Sequence, residues 1–195
     1  MRFTNSPALN LHSLEEAIKD FSRAAQMEPT RSMASVFLSR GKCYLLLPKQ
    51  DIAAALADFD KSITLDPTIP AAFYNRGLVH ENMGRHARAA DDYTRCVELA
   101  EQLGGFDWHG HHALSNLYMA QGNFKKALKH IQVCALAYPD ESRFQSRTAW
   151  CLWQIEKMNP LKGTYFIPFL FGERGGGGGE EGRLMPYHSV TFNNR

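Results

Sequence analysis

The chain has 195 residues, 44% of them hydrophobic, which suits one compact domain or a short solenoid. A formal net charge of +2 is too small for a protein that grips nucleic acid through many phosphates, and it gives no basis for holding an anionic membrane. No run approaches the roughly 18 apolar residues of a membrane span, and Cys43, Cys96, Cys134 and Cys151 stand singly without a C-x-x-C pair, which argues against a zinc ribbon or redox dithiol.

Residues 1–12 are expected to be irregular, and Met1 to Pro7 lack the charged-then-apolar layout of a secretory signal, so a cytoplasmic protein is expected. Ser13-Leu14-Glu15-Glu16 reads as a capping box that opens a helix carrying Ala17, Phe21 and Ala24 and stopping before Pro29, a half repeat over 13–29. A helical hairpin follows over 33–67, with Phe37, Gly41 and Tyr44 on its first helix and Ala55, Phe59, Ser62 and Pro67 on its second. Two extra residues around Leu47 to Asp51 lengthen its turn. The clearest unit spans 70–101: a first helix with Phe73 and Gly77 ends at Gly84, and a second from about Ala87 to Leu99 carries Ala89, Tyr93, Cys96 and Val97 on one face. The next, over 108–139, has Leu114, Ser115 and Tyr118, then Gly122 at the turn, then Ala127, Ile131, Cys134 and Pro139. The insertion before it, around Glu101 to Gly105, adds little closure entropy. One more first-type helix is expected over 142–158, as a half repeat or capping helix, ended by Asn159-Pro160. Residues 161–195 lose all periodicity; their glycine run predicts a flexible, disordered tail and lacks the Lys-Ser/Thr that a phosphate loop needs. Within it Tyr165 to Phe171 is too short to span a membrane and is expected to dock on the last hairpin as a cap.

Along these units Ala17, Ala55, Ala89 and Ala127 recur at intervals of 38, 34 and 38, each with a large apolar or aromatic residue four places on. Pro29, Pro67 and Pro139 stand eight places further, and Glu101 takes that place in the third unit. A period in this range marks stacked helical hairpins. With Phe73 for the tryptophan, Gly77 for the glycine, and Ala89, Tyr93 and Cys96 for the small, aromatic and small places, the 70–101 unit resembles the tetratricopeptide repeat. The resemblance implies an all-α fold, a right-handed α-solenoid of antiparallel helix pairs, with three complete repeats from about Met33 to Pro139. Both ends finish on half a repeat, so the chain is expected to be cut from a longer array.

In this family the first helices line a concave groove that takes a peptide or a partner's helix. The resemblance therefore implies a non-enzymatic interaction adaptor or scaffold, with a protein as partner and neither nucleic acid nor membrane. The inward positions map to Leu38, Ser39 and Lys42, then Tyr74, Asn75, Leu78 and Glu81, then His109, His112 and Asn116, then Arg143, Arg147 and Trp150. Such a groove turns basic and aromatic along its length and suits a peptide with an acidic or aromatic end. Some members clamp the acidic tails of chaperones with five polar side chains; Asn75 fills one of those places and the rest differ, so that ligand is not expected. An RNA-reading helical repeat and a regulatory or co-chaperone-like subunit of a larger complex are the alternatives. The small net charge and the Gly/Ala/Phe/Pro packing signature weigh against RNA.

No cofactor is expected. His109-Gly110-His111-His112, with His80 and His86, has neither shared helix face nor acid or cysteine at ligand spacing, so no metal site is expected. No nucleophile elbow, H-E-x-x-H or phosphate loop is present, which gives no catalytic residues. Asp91-Asp92 and Glu15-Glu16 are expected on solvent-facing helix surface, and the four cysteines in small core places.

Overall fold

The computed structural model describes residues 7–26 and 30–158, and every described regular element is helical. In chain order these are α1 (Pro7–Ala24), a 3₁₀ turn (Arg31–Met33), α2 (Ala34–Leu46), α3 (Ile52–Leu65), α4 (Pro70–Asn82), α5 (His86–Gln102), α6 (Trp108–Ala120), α7 (Phe124–Ala137) and α8 (Ser142–Lys157). Sequential helices pack on one another: α2 with α3, α4 with α5, and α7 with α8. The chain divides into two compact units, one through Leu114 and one from Ser115.

Helix ends follow from single residues. Asp51 and Asn123 cap α3 and α7, accepting from the amides of Ala54 at 3.0 Å and Lys126 at 3.2 Å. Pro70 opens α4, where its missing N–H leaves no orphan donor. Three helices stop at a glycine in the left-handed region, Gly84, Gly104 and Gly122, each with φ of 71°. In each the next amide reaches back five residues: Arg85 to His80 at 2.8 Å, Gly105 to Ala100 at 2.9 Å, Asn123 to Tyr118 at 2.8 Å.

One boundary departs from the sequence reading. α1 begins at Pro7, so residues 7–12 are helical rather than irregular and Ser13-Leu14-Glu15-Glu16 lies inside the helix instead of capping it. A proline as first helical residue is itself an N-terminal signal, and the residues between it and Ser13 include good helix formers. The expected stop at Pro29, the Asn159-Pro160 terminator and the whole 161–195 segment lie outside the described residues.

In the first unit the layers nest through a missing methyl. A Cβ at Gly41 would stand 2.6 Å from the Phe59 ring, and one at Gly77 would stand 2.6 Å from the Tyr93 ring. Phe59 and Tyr93 have no exposed surface. Phe59 packs with Ala55 and Val79, flanked by Leu38, Tyr44, Leu45, Ile52 and Leu56. Phe73, Cys96 and Leu99 form a second cluster, flanked by Ile63 and Tyr74. The buried phenylalanine, leucine and valine side chains among them each contribute about 1.5–3 kcal/mol. The Ser62 hydroxyl, in a small-residue place, donates to the Ala34 carbonyl at 2.8 Å. In the second unit the corresponding core is Leu117, Ala127, Ile131, Cys134, Phe144 and Cys151. None of the four cysteines is in a disulfide; Cys96, Cys134 and Cys151 are buried and Cys43 is half-buried.

The layers are also joined by ion pairs that the sequence reading missed. Arg40 holds Asp58 with two hydrogen bonds, at 2.8 and 2.7 Å, and Arg76 holds Asp92 in the same way, at 2.9 and 2.6 Å. Arg76 additionally donates to Asp60, on the preceding second-type helix, at 2.8 Å. Each guanidinium lies over the phenylalanine three residues before it, Phe37 and Phe73. Asp92 is therefore buried, not solvent-facing, whereas Asp91, Glu15 and Glu16 are exposed as expected. Neighbours in a helix are turned by about 100°, so an adjacent acid pair can straddle the surface and the interior.

Candidate peptide-binding face

Lys42 and Leu38 stand one turn apart on α2, as do Leu78 and Tyr74 on α4. Lys42 is exposed, and Leu38, Tyr74 and Leu78 are half-buried. Leu38 leans on the Phe59 cluster and Tyr74 on the Phe73 cluster, so both are anchored from behind. Tyr74 touches two further rings, with centroids 5.8 Å away in each case: Tyr93 of α5 and His109 at the start of α6. The α4 and α6 parts of the face therefore meet at the Tyr74–His109 contact.

Asp107 fixes the start of α6. Its carboxylate accepts from the backbone amides of His109 at 3.2 Å and Gly110 at 3.0 Å, from the Cys96 thiol at 3.0 Å, and lies 3.3 Å from the His109 ring. Gly110 has no side chain to collide there; a Cβ would meet Val97 at 2.8 Å and Asp107 at 2.9 Å. Trp108 stacks on His109 at 3.8 Å and lies 6.0 Å from His112. His111 turns inward, is buried, and stacks on Phe106 at 5.4 Å with Glu101 at 4.0 Å. The His-Gly-His-His stretch is thus distributed over different aromatic neighbours. Among the described residues no three His, Cys, Asp or Glu side chains converge as metal ligands.

The protonation states follow from burial. Burial, then the Glu81 carboxylate that accepts the Tyr93 hydroxyl at 2.6 Å, raises the Tyr93 phenol far above its ordinary range. Burial also raises Tyr74. Both remain neutral hydroxyls at physiological pH. Cys96 is pushed up strongly, first by burial and then by Asp107, so it stays a thiol and is no nucleophile.

Two mapped residues of the first unit are engaged internally. Asn75 is buried and its amide donates to the Ala71 carbonyl at 2.6 Å. Glu81 receives the Tyr93 hydroxyl. Ser39 is half-buried, as is His112, and His109 is exposed. In the second unit Arg147 donates to Asn116, which brings those two together. Arg143 pairs with Glu141 at 3.2 Å and lies over Phe144 at 4.8 Å. Trp150 is 42% exposed and meets Phe124 of α7 edge-on at 5.3 Å, so its ring reaches a second-type helix. Asp107 and Trp108 were not singled out from sequence. The readable signal for Asp107 was an N-cap aspartate ahead of a helix start, hidden by the irregular loop before it.

The model of the tetratricopeptide repeat matches residues 70–103, the α4–α5 hairpin with its closing turn. Residues 70–103 are a tetratricopeptide repeat. The crystal structure of a MamA protein superimposes with a TM-score of 0.63 over 74% of each chain at 18% identity, a likeness of fold. Among curated relatives, tetratricopeptide repeat protein 13 of Homo sapiens is 33% identical over 88 residues, 44% of this chain and 10% of that protein. The tetratricopeptide repeat and J domain-containing co-chaperone DNJ1 of Cryptococcus neoformans var. grubii is 32% identical over 82 residues, 42% of this chain and 15% of that protein. The chain therefore spans a small part of the length of the curated relatives it matches. No described helix is long and apolar enough to cross a membrane.

Proposed function

We propose that the chain is a non-enzymatic protein-interaction adaptor whose first-type helices receive an extended peptide or a partner helix. The observation that carries this reading is the Tyr74–His109 contact, which joins side chains one repeat apart into one strip of half-buried and exposed groups. Lys42 offers positive charge, His109 and His112 offer ring nitrogens for hydrogen bonds, and Tyr74 and Trp108 offer ring faces, a mixture suited to a segment with acidic or aromatic side chains. On the second unit, taken by itself, Arg143, Arg147 and Asn116 offer a basic and polar patch on first-type helices, whereas the Trp150 ring is turned to Phe124. The co-chaperone among the relatives supports a protein partner. A strip of this kind gives roughly micromolar affinity, about −8 kcal/mol.

Affinity purification of proteins held by the wild-type chain, beside Lys42→Glu/His109→Ala, tests the reading. Both side chains are exposed, so the fold should survive. Arg88→Glu on the exposed side of α5 is the control. The double variant should lose the captured protein and the control should keep it. Equal capture by both would refute the peptide-binding face.

A further inference from the structure

The two arginine layers of the first unit differ at one place. Arg76 binds two carboxylates, Asp92 through Nε and Nη2 and Asp60 through Nη1 at 2.8 Å. Arg40 binds Asp58 through Nε and Nη2 in the same way, but its Nη1 points to the hydroxyl of Ser22 at 3.2 Å. Asp60 directly follows Phe59, and Ser22 directly follows Phe21, the matching residue of α1. The layer of α1 and α2 therefore has a guanidinium nitrogen in position for an anion, and a hydroxyl where the next layer has an acid.

We propose that Ser22 is a phosphoacceptor whose phosphoryl group docks on Arg40 and fastens α1 to α2. A phosphoserine carries a charge of about −1.5 to −2 at neutral pH and three strong acceptor oxygens, and it forms charge-assisted hydrogen bonds opposite an arginine. Asp58 does not forbid a second anion beside Arg40, because Arg76 holds two. Lys19, exposed and three residues before Ser22, marks the segment for a kinase that prefers basic residues.

In the reaction the Ser22 oxygen bonds to the terminal phosphorus of a nucleoside triphosphate as the bond from that phosphorus to the bridging oxygen breaks. The nucleoside diphosphate leaves, and the hydroxyl proton passes to the kinase's base. Ser22 is half-buried and its hydroxyl donates to the Ile18 carbonyl at 2.6 Å, so transfer occurs while α1 is transiently undocked, and redocking then holds the product.

The test has two arms, both on the full 195-residue chain. In the first, phosphoserine is incorporated at position 22 and amide exchange of α1 is followed. Exchange should slow about tenfold, with a raised melting temperature. The gain should vanish in Arg40→Gln/Asp58→Asn, a pair of changes that leaves no unpaired buried charge. Ser22→Asp should reproduce part of the gain in the otherwise unaltered chain. Unchanged or faster exchange, or a gain that persists in the double variant, overturns the docking. In the second arm the chain is treated with ATP and a set of basic-directed serine kinases and mapped by mass spectrometry. Phosphate on Ser22 that is absent from Ser22→Ala supports the assignment. Labelling confined to other hydroxyls overturns it.

Discussion

At the scale of single residues, the most sensitive place in the first unit is the absent side chain of Gly77. The Tyr93 ring that fills this space is buried and held by Glu81, so it cannot turn aside. Gly77→Ala would put a methyl 2.6 Å from that ring and 3.3 Å from the Asp92 side chain. A loss of about 1–3 kcal/mol is expected, read as a lower urea midpoint. Asp66 contributes to acid stability in a different way. Two hydrogen bonds from Arg31, helped by Thr68, lower its carboxyl to about 2. The folded value lies below the unfolded value of about 3.9, so its contribution is present above about pH 4 and is lost as pH falls toward 2. Asp66→Asn should therefore be less stable than wild type at pH 6, and urea midpoints should converge as pH approaches 2. A gap that stays constant would detach Asp66 from the acid limb.

At the scale of elements, α2 with α3 and α4 with α5 are each joined by apolar nesting and by one ion pair with a buried aspartate. Asp92→Ala would leave the Arg76 guanidinium with only the exposed Asp60. A cost near the lower end of the 3–5 kcal/mol expected for breaking a buried pair should appear in thermal melts. Asp60→Ala, at a surface partner, should cost about 0–1 kcal/mol. The bounds of α4 and α5 were legible to within a few residues because Pro70, Gly84 and the apolar spacing act locally. The start of α1 was not, since a capping-box pattern and Pro7 offered two competing starts. The Arg–Asp pairs were also missed. Their partners lie 18 and 16 residues apart, and helical period alone assigns charged residues to the solvent side.

At the scale of the whole molecule, the face proposed for peptide binding contains few positive charges. For a peptide identified by the capture experiment, raising salt from about 50 to 200 mM should weaken binding by less than about tenfold. An RNA ligand making many phosphate contacts would lose about 10³–10⁵ over that range, and a fall that steep would return the nucleic-acid reading to first place. Much of the candidate face was legible as a set of helical positions. Whether each position is presented was not: Lys42 and His109 are exposed, while Asn75 turns back to Ala71 and Trp150 reaches Phe124.

The amino-acid order alone determined that the described chain would be helical hairpins, and that small and large residues would recur at matching places along it. Both properties repeat at fixed short separations and need no knowledge of distant partners. Tertiary structure decided the fate of polar side chains: that Asp92 would be buried, that Asp107 would unite Cys96, His109 and Gly110, and that Ser22 would stand where its repeat counterpart is an acid. A charged group is stable inside only when its partner arrives with the right geometry, and that partner comes from another helix.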